Sequence, residues 1–191
     1  MKIGIIVGSI REGRLGDQIG QWVAQVAQAR AAEAIEATNA TAAPEFTLID
    51  LRDFDLPLYA AEVLPAMANK QYADSRVQEW SNAIDACDAF FFVTPEYNHS
   101  VPGAMKNAVD SLGAEWQGKP LGFIGYSATG GIRAVEHWRA IMANFQSRML
   151  RTQLDFSIFG DVTEGKFSPA QRAEDTLVRM IGELVQEAAR A

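Results

Sequence analysis

Cysteine is nearly absent. Cys87 stands alone in 191 residues, so no intrachain disulfide can form and a disulfide-stapled fold is excluded. With only two histidines beside that thiol, a Cys/His zinc centre has too few ligands to be a reasonable reading, and no metal site is expected. No apolar run approaches the ~20 residues that a bilayer span requires. The opening Met1-Lys2-Ile3-Gly4-Ile5-Ile6-Val7 is too brief, and too soon followed by arginines, for a signal peptide, and reads as a buried first strand. Basic charge is scarce too. Seventeen Lys and Arg against 24 Asp and Glu leave a net charge of −7. A pI near 4.9 argues against nucleic acid or an anionic membrane as partner, because both need a basic face. With no export signal, the cytoplasm is the expected compartment.

What is present is ordinary for a folded chain: 48% apolar and 21% charged residues, enough for one domain over residues 1–191. Residues 2–7 are β-branched and continuous, as in a strand covered on both faces. From Leu15 to about Arg30, Ile19, Trp22, Val23, Val26 and Ala27 recur at helical spacing. Ala31 to Pro44 reads as a fraying helix end followed by a variable connection. Phe46–Leu51 is a second strand, and a long loop containing Leu56-Pro57-Leu58-Tyr59 runs to about Asp74. Ser75 is the expected N-cap of a helix to about Ala86. Asp88–Thr94 is a third buried strand, ended by Pro95. A helix from near Pro102 reaches Leu112. Lys119–Tyr126 is a fourth strand, Ile132 to about Ser147 a helix, and Leu150–Ser157 a fifth strand. Ser168-Pro169 starts a last helix to about Ala189. Strands alternating with helices imply an α/β fold, a three-layer sandwich around a parallel sheet with right-handed crossovers. Five strands suggest the flavodoxin-like order 2-1-3-4-5, with ligands bound at the carboxyl ends of strands 1, 3 and 4.

The loops at those three ends are chemically unusual. The first, Gly8-Ser9-Ile10-Arg11-Glu12-Gly13-Arg14-Leu15-Gly16, joins a glycine-rich turn to a helix N-terminus and adds a hydroxyl and two arginines. This suits a phosphate, although it has neither P-loop nor GxGxxG spacing. A turn with solvated arginines fits the loop equally well. The second, Thr94-Pro95-Glu96-Tyr97-Asn98-His99-Ser100-Val101-Pro102-Gly103, is stiffened by two prolines and suits the polar edge of a planar heterocycle. His99 reads better as a surface hydrogen-bonding residue than as a base. The third, Ser127-Ala128-Thr129-Gly130-Gly131-Ile132-Arg133, allows close backbone approach to a flat ligand. Arg133 either faces that ligand or pairs with an acidic neighbour. Cys87 reads as core packing. Asp50, Asp53 and Asp55 read as a solvated turn. A Ser/His/Asp triad lacks the Gly-x-Ser-x-Gly elbow. Trp80, Trp116, Trp138 and Phe145 suit packing or subunit contact.

In these blocks the chain resembles the NADPH-dependent FMN reductase family, flavodoxin-like flavoproteins that include quinone, azo-dye and chromate reductases. The matching text is Gly8-Ser9-Ile10-Arg11-x-Gly13-Arg14, Leu56-Pro57-Leu58, Val93 through Asp110, Trp116-x-Gly118-Lys119-Pro120 and Gly130-Gly131-Ile132-Arg133-Ala134, within residues 2 to about 155. The resemblance implies that Ser9, Arg11, Arg14, Leu15 and Gly16 hold the FMN phosphate. Pro95, Glu96, Tyr97 and Asn98 would border the isoalloxazine and ribityl chain, with Ser127, Gly130 and Gly131 along the ring's other polar edge. Lys106, Asn107 and Asp110 would fix the helix carrying the second loop. Two departures stand out: Ser111 where many members carry a tryptophan, and Gly16-Asp17 where some relatives place a serine.

The implied activity is NAD(P)H oxidation through bound flavin, with reduction of a quinone, free flavin or other small acceptor and no catalytic side chain named. Homodimers or homotetramers are implied as well. The alternatives are a flavodoxin-type single-electron carrier that does not oxidise nicotinamides, and a flavin-free anion-binding module. The carrier is disfavoured by the paired arginines.

Overall fold

The structure, a computed structural model, describes residues 1–36 and 38–190. Five parallel strands form the sheet in the order β2-β1-β3-β4-β5, as the alternation predicts. These are β1 (Lys2–Val7), β2 (Glu45–Asp50), β3 (Ala89–Pro95), β4 (Pro120–Ser127) and β5 (Arg148–Ser157). Helices α1 (Gly16–Ile35), α2 (Ser75–Asp85), α3 (Gly103–Asp110), α4 (Ile132–Met142) and α5 (Gln171–Ala188) cover it. Every residue of β3 is buried, which is why Ala89-Phe90-Phe91-Phe92-Val93 is continuous rather than alternating.

The strand period of two splits the core into two clusters. Ile3, Ile5, Phe91, Val93, Ile124 and Tyr126 face α1 and α5. Ile6, Phe90, Phe92, Leu121 and Phe123 face α2, α3 and α4. The second cluster holds Trp80, Trp116 and Trp138, each at most 1% exposed, so these tryptophans are packing residues. Trp116 is the hub, its ring 5.2 Å from Phe90 and 6.0 Å from Trp80.

Several boundaries differ from the sequence reading. Helix α1 continues to Ile35 through a non-helical Arg30 (φ −117°, ψ 16°). Alanine is the best helix former, Ala31 is buried and Ala34 packs into the core cluster shared with α5, so this stretch does not fray. Ala37, in the same segment, lies outside the described residues. The N-cap of α2 is Asp74 rather than Ser75, because its carboxylate accepts the Arg76 amide at 2.9 Å. Pro95 is the last residue of β3, not the residue after it. Helix α4 stops at Met142, followed by a 3₁₀ turn (Ala143–Phe145) and a left-handed Gln146. The long loop from 51 to 74 contains two 3₁₀ turns, Leu51–Phe54 and Pro65–Met67. Between β5 and α5 lies an unforeseen hairpin, β6 (Val162–Thr163) and β7 (Lys166–Phe167). Phe167 secures it by edge contacts with Trp22 at 5.6 Å and Phe156 at 4.8 Å.

Candidate functional site

Because β1 lies between β2 and β3, and β3 between β1 and β4, the chain order brings the three unusual loops to one edge. Val7 is level with Asp50 on one side and Val93 on the other, and the Gly8 amide donates to Val93 O at 3.0 Å. The first loop therefore starts in register with the second. Gly8 is required by packing: a Cβ there would lie 2.0 Å from Met105 Sδ.

Ser9 is 1% exposed, and its Oγ lies 2.6 Å from Tyr97 Oη, tying the first loop to the second. The α1 N-cap is Leu15, which supplies no side-chain acceptor. The first-turn amides of this 20-residue helix therefore carry a partial positive charge with no cap. Arg11 is exposed and folds back on its own loop, donating to Glu12 O at 2.9 Å and Gly13 O at 3.3 Å.

Arg14 is different. Its guanidinium is buried, donates to the Ser9 carbonyl and forms a two-point pair with Asp50, Nη1 to Oδ1 at 2.9 Å and Nη2 to Oδ2. Its Nε stands 2.5 Å from Asp17 Oδ1, off hydrogen-bond geometry. Burial works against the charged guanidinium, yet its bonds to Asp50 and then the charge of Asp17 outweigh that and hold its pKa above the ordinary arginine value. Arg14 is thus committed to shaping the loop from beneath. Asp50 is its partner rather than part of a solvated turn, and also caps the next 3₁₀ turn by accepting the Arg52 amide at 2.9 Å.

The second and third loops are joined by Glu96 and Arg133. The Glu96 carboxylate, 7% exposed, accepts Arg133 Nη1 at 2.8 Å and the Arg133 amide at 3.1 Å in the first turn of α4. Burial would raise the Glu96 carboxyl, but these bonds outweigh it and hold it below the usual carboxylate value. Of the two sequence alternatives for Arg133, the ion pair is the one observed. Asn98 and His99 both adopt left-handed conformations (φ 48° and 72°), and Tyr97 and Ser100 close the turn with paired amide bonds. His99 is exposed.

Ser127 Oγ accepts the amides of Thr129 at 3.0 Å and Gly131 at 2.8 Å. Gly130 and Gly131 have φ of 84° and 77°, and a Cβ on Gly131 would lie 2.6 Å from Tyr126 N. The close approach that Gly131 permits is to its own strand β4, and that of Gly130 is to Asp155 on β5.

Asn107 does more than fix its helix. It donates to Pro57 O and accepts the Tyr59 amide, each at 2.8 Å, pinning the Leu56–Tyr59 stretch beside the site. Lys106 and Asp110 pair with each other at 2.6 Å. Cys87 is buried, which pushes its thiol pKa up and removes it from nucleophilic chemistry. A cavity of about 540 Å³ between Met1, Asp88, Lys119 and Arg148 opens at the opposite, amino-terminal edge of the strands, away from all three loops.

One group at the site was missed by sequence reasoning. Tyr126, near the end of β4, is 6% exposed, and its Oη is buried close to Ser9, whose side chain acts on the phenol as a hydrogen-bonding neighbour. It faces the start of α1: a Cβ on Gly16 would lie 2.7 Å from that oxygen. The only signal in the sequence was a hydroxyl-bearing aromatic at a strand end. An uncapped helix N-terminus and the exposed cationic side chain of Arg11 form a donor set suited to a phosphate monoester such as that of FMN.

An open parallel sheet with a phosphate-type site at its switch point defines the flavodoxin-like class. Comparison with known proteins agrees. The family model for NADPH-dependent FMN reductase matches residues 1–160, so the chain belongs to that family. It is accordingly an FMN-dependent NAD(P)H oxidoreductase.

An NAD(P)H-dependent FMN reductase of Nectria sp is 39% identical over 135 residues, covering 70% of this chain and 63% of the relative. One from Saccharomyces cerevisiae is 33% identical over 154 residues, 78% of each chain. The flavoenzyme NAD(P)H:(acceptor) oxidoreductase FerB from Paracoccus denitrificans superposes with a TM-score of 0.71 at 23% identity, over 99% of this chain and 97% of that one, and shows the shared fold. The electron-carrier alternative is the less supported one.

Proposed function

We propose that this chain is a single-domain, cytoplasmic reductase that passes reducing equivalents from NAD(P)H, through FMN, to a quinone or another small planar acceptor. The observation that carries the reading is the uncapped N-terminus of α1 beside Ser9 and the exposed Arg11. Support for the acceptor class comes from a protein of Escherichia coli named quinone reductase, 27% identical over 175 residues, 88% of this chain and 82% of that one. Bound FMN supplies two-electron acceptance from a nicotinamide and onward donation.

In this reading Ser9, Arg11 and the backbone of Leu15 and Gly16 hold the phosphate. Arg14 positions them through Asp50. The backbone of Pro95, Glu96, Tyr97 and Asn98 borders the ring on one side, with Ser127, Gly130 and Gly131 on the other. Glu96 keeps the two borders at a set spacing through Arg133. Exposed Leu58, Val63, Leu64 and Met67 on the 51–74 loop form an apolar face suited to a second copy of the chain, as a homodimer or homotetramer.

The test is an absorbance spectrum of the purified protein, followed by NADPH and NADH oxidation with a panel of quinones and free flavins. A flavin spectrum with turnover is expected. A protein that binds FMN but oxidises neither nicotinamide with any acceptor, and stabilises a one-electron reduced flavin, is a carrier instead.

A further inference from the structure

The chain makes two hairpin turns of the same kind, and they differ in one telling position. In the β6–β7 hairpin Thr163 faces Lys166, and the residues between them, Glu164 and Gly165, have φ of 51° and 74°. In the second loop Tyr97 and Ser100 exchange both amide bonds, at 3.0 and 3.1 Å, around Asn98 and His99 at φ 48° and 72°. Positive φ at both central residues is the arrangement that favours Asn-Gly, with glycine second. The hairpin has its glycine there. The second loop has a histidine, although a side chain in that backbone region destabilises it.

No contact of the imidazole offsets that strain. Among the described residues no hydrogen bond, ion pair or ring contact reaches the His99 side chain, which is exposed. The residues around it are tied down. Tyr97 Oη meets Ser9 Oγ at 2.6 Å, Glu96 holds Arg133 Nη1 at 2.8 Å, and Ser100 Oγ meets His137 Nδ1 at 2.8 Å. The turn is therefore fixed from the first loop and from two successive turns of α4, with the imidazole as its free tip. Strain that the surroundings enforce gathers at functional positions. An imidazole carries an N–H donor whether neutral or charged. A quinone presents a carbonyl oxygen at the edge of a flat ring, and that oxygen gains negative charge on reduction, where a placed donor helps most.

We infer that His99 is the acceptor-recognition residue of this reductase: its ring N–H donates to a carbonyl oxygen of the acceptor and favours quinones over acceptors that have no carbonyl. The inference rests on the proposed reductase reading, in which the second loop borders the flavin. His99 binds and orients the acceptor; it transfers neither electron nor proton, and the nicotinamide supplies the reducing equivalents.

The experiment compares FMN-loaded wild type with His99→Gly, the residue that this turn prefers. Turnover with NADPH is measured at one pH against tetramethyl-p-benzoquinone and against ferricyanide, which has no carbonyl. In His99→Gly, kcat/KM for the quinone should fall about 5- to 20-fold, the size of one hydrogen bond to a group gaining charge, with ferricyanide within about twofold. The flavin-free melting temperature of the variant should hold or rise, because glycine accepts this backbone without strain.

Equal losses with both acceptors, an unchanged quinone value or a lower melting temperature would overturn the assignment and leave His99 a turn residue. A second measurement needs no variant, because the chain has only two histidines to resolve. In oxidised, FMN-loaded wild type with isotope-labelled imidazole nitrogens, the quinone added without nicotinamide should move the His99 resonances. Those of His137, held by Ser100, should stay in place. Unmoved His99 resonances at saturating quinone would refute the inference. Wild type that binds no FMN, or reduces neither acceptor, would instead overturn the reductase reading and this inference with it.

Discussion

Arg14 and Arg11 sit three residues apart, and the folded chain gives them opposite tasks. Arg11 is exposed and held only by carbonyls of its own loop, so it is free to reach an anion. Arg14 is buried beneath the loop between Asp50 and Asp17, whose side chains are 24% and 41% exposed. Arg14→Met therefore leaves two carboxylates without their cation and a Ser9 carbonyl without its donor. It should lower stability by about 1–3 kcal/mol, read from urea midpoints, with water at the two aspartates moderating the loss. Arg11→Met should leave the midpoint within about 0.5 kcal/mol while weakening FMN binding in a titration.

The Glu96–Arg133 link has a pH dependence of definite sign. Its folded pKa lies below the ordinary value of 4.5, so the carboxylate's contribution is fully present above that value and is lost as pH falls through the depressed one. The part of FMN release on acidification that depends on Glu96 should thus appear below about pH 4.5. In Glu96→Gln that component should be missing, with weaker FMN retention at neutral pH. A stopped acid titration followed by flavin fluorescence checks both.

At the scale of elements, the site is built from strand ends and helix starts that meet backbone to backbone. The turn from β4 into α4 depends on two consecutive left-handed residues, Gly130 and Gly131. Gly131→Ala would place a methyl 2.6 Å from Tyr126 N in a backbone region that alanine tolerates poorly. A loss of about 1–3 kcal/mol is expected in thermal or urea unfolding. FMN affinity should fall as well, since the same shift displaces Tyr126.

Elements also show where patterns along the chain were readable. The buried run of β3 and the spacing in α1 announced their types because each is a local consequence of burial on two faces or one. Helix ends were less readable. Asp74 and Ser75 are both good caps by type, and only the Arg76 amide's position decides between them. The β6–β7 hairpin, two residues per strand, is too short to leave a period and is held by the Trp22–Phe167 contact, which no local pattern encodes.

For the whole molecule, the acidic charge and the apolar 51–74 loop make different statements. The net charge of −7 repels polyanions. Leu58 at 84%, Met67 at 69% and Val63 and Leu64 at 58% exposure gather apolar surface on one loop next to the site. Leu58→Glu combined with Met67→Glu should convert the proposed oligomer to monomer in sedimentation velocity while the unfolding midpoint of the monomer is unchanged. A wild type that sediments as a monomer at micromolar concentration would remove the proposed interface.

By itself, the sequence determined the α/β class, the five strands of the parallel sheet, the two-sided burial of β3 and the three loops that carry the family's motifs. These follow from periodicity and turn chemistry, which act over a few residues. Only the tertiary structure decided that Arg14 looks inward to Asp50, 36 residues away, that Glu96 closes on Arg133, and that Tyr126 packs its hydroxyl beneath Gly16. Each is a pairing of charges or a packing contact set by which strands lie side by side. A side chain's type states what it can bond; the 2-1-3-4-5 order decides what it meets.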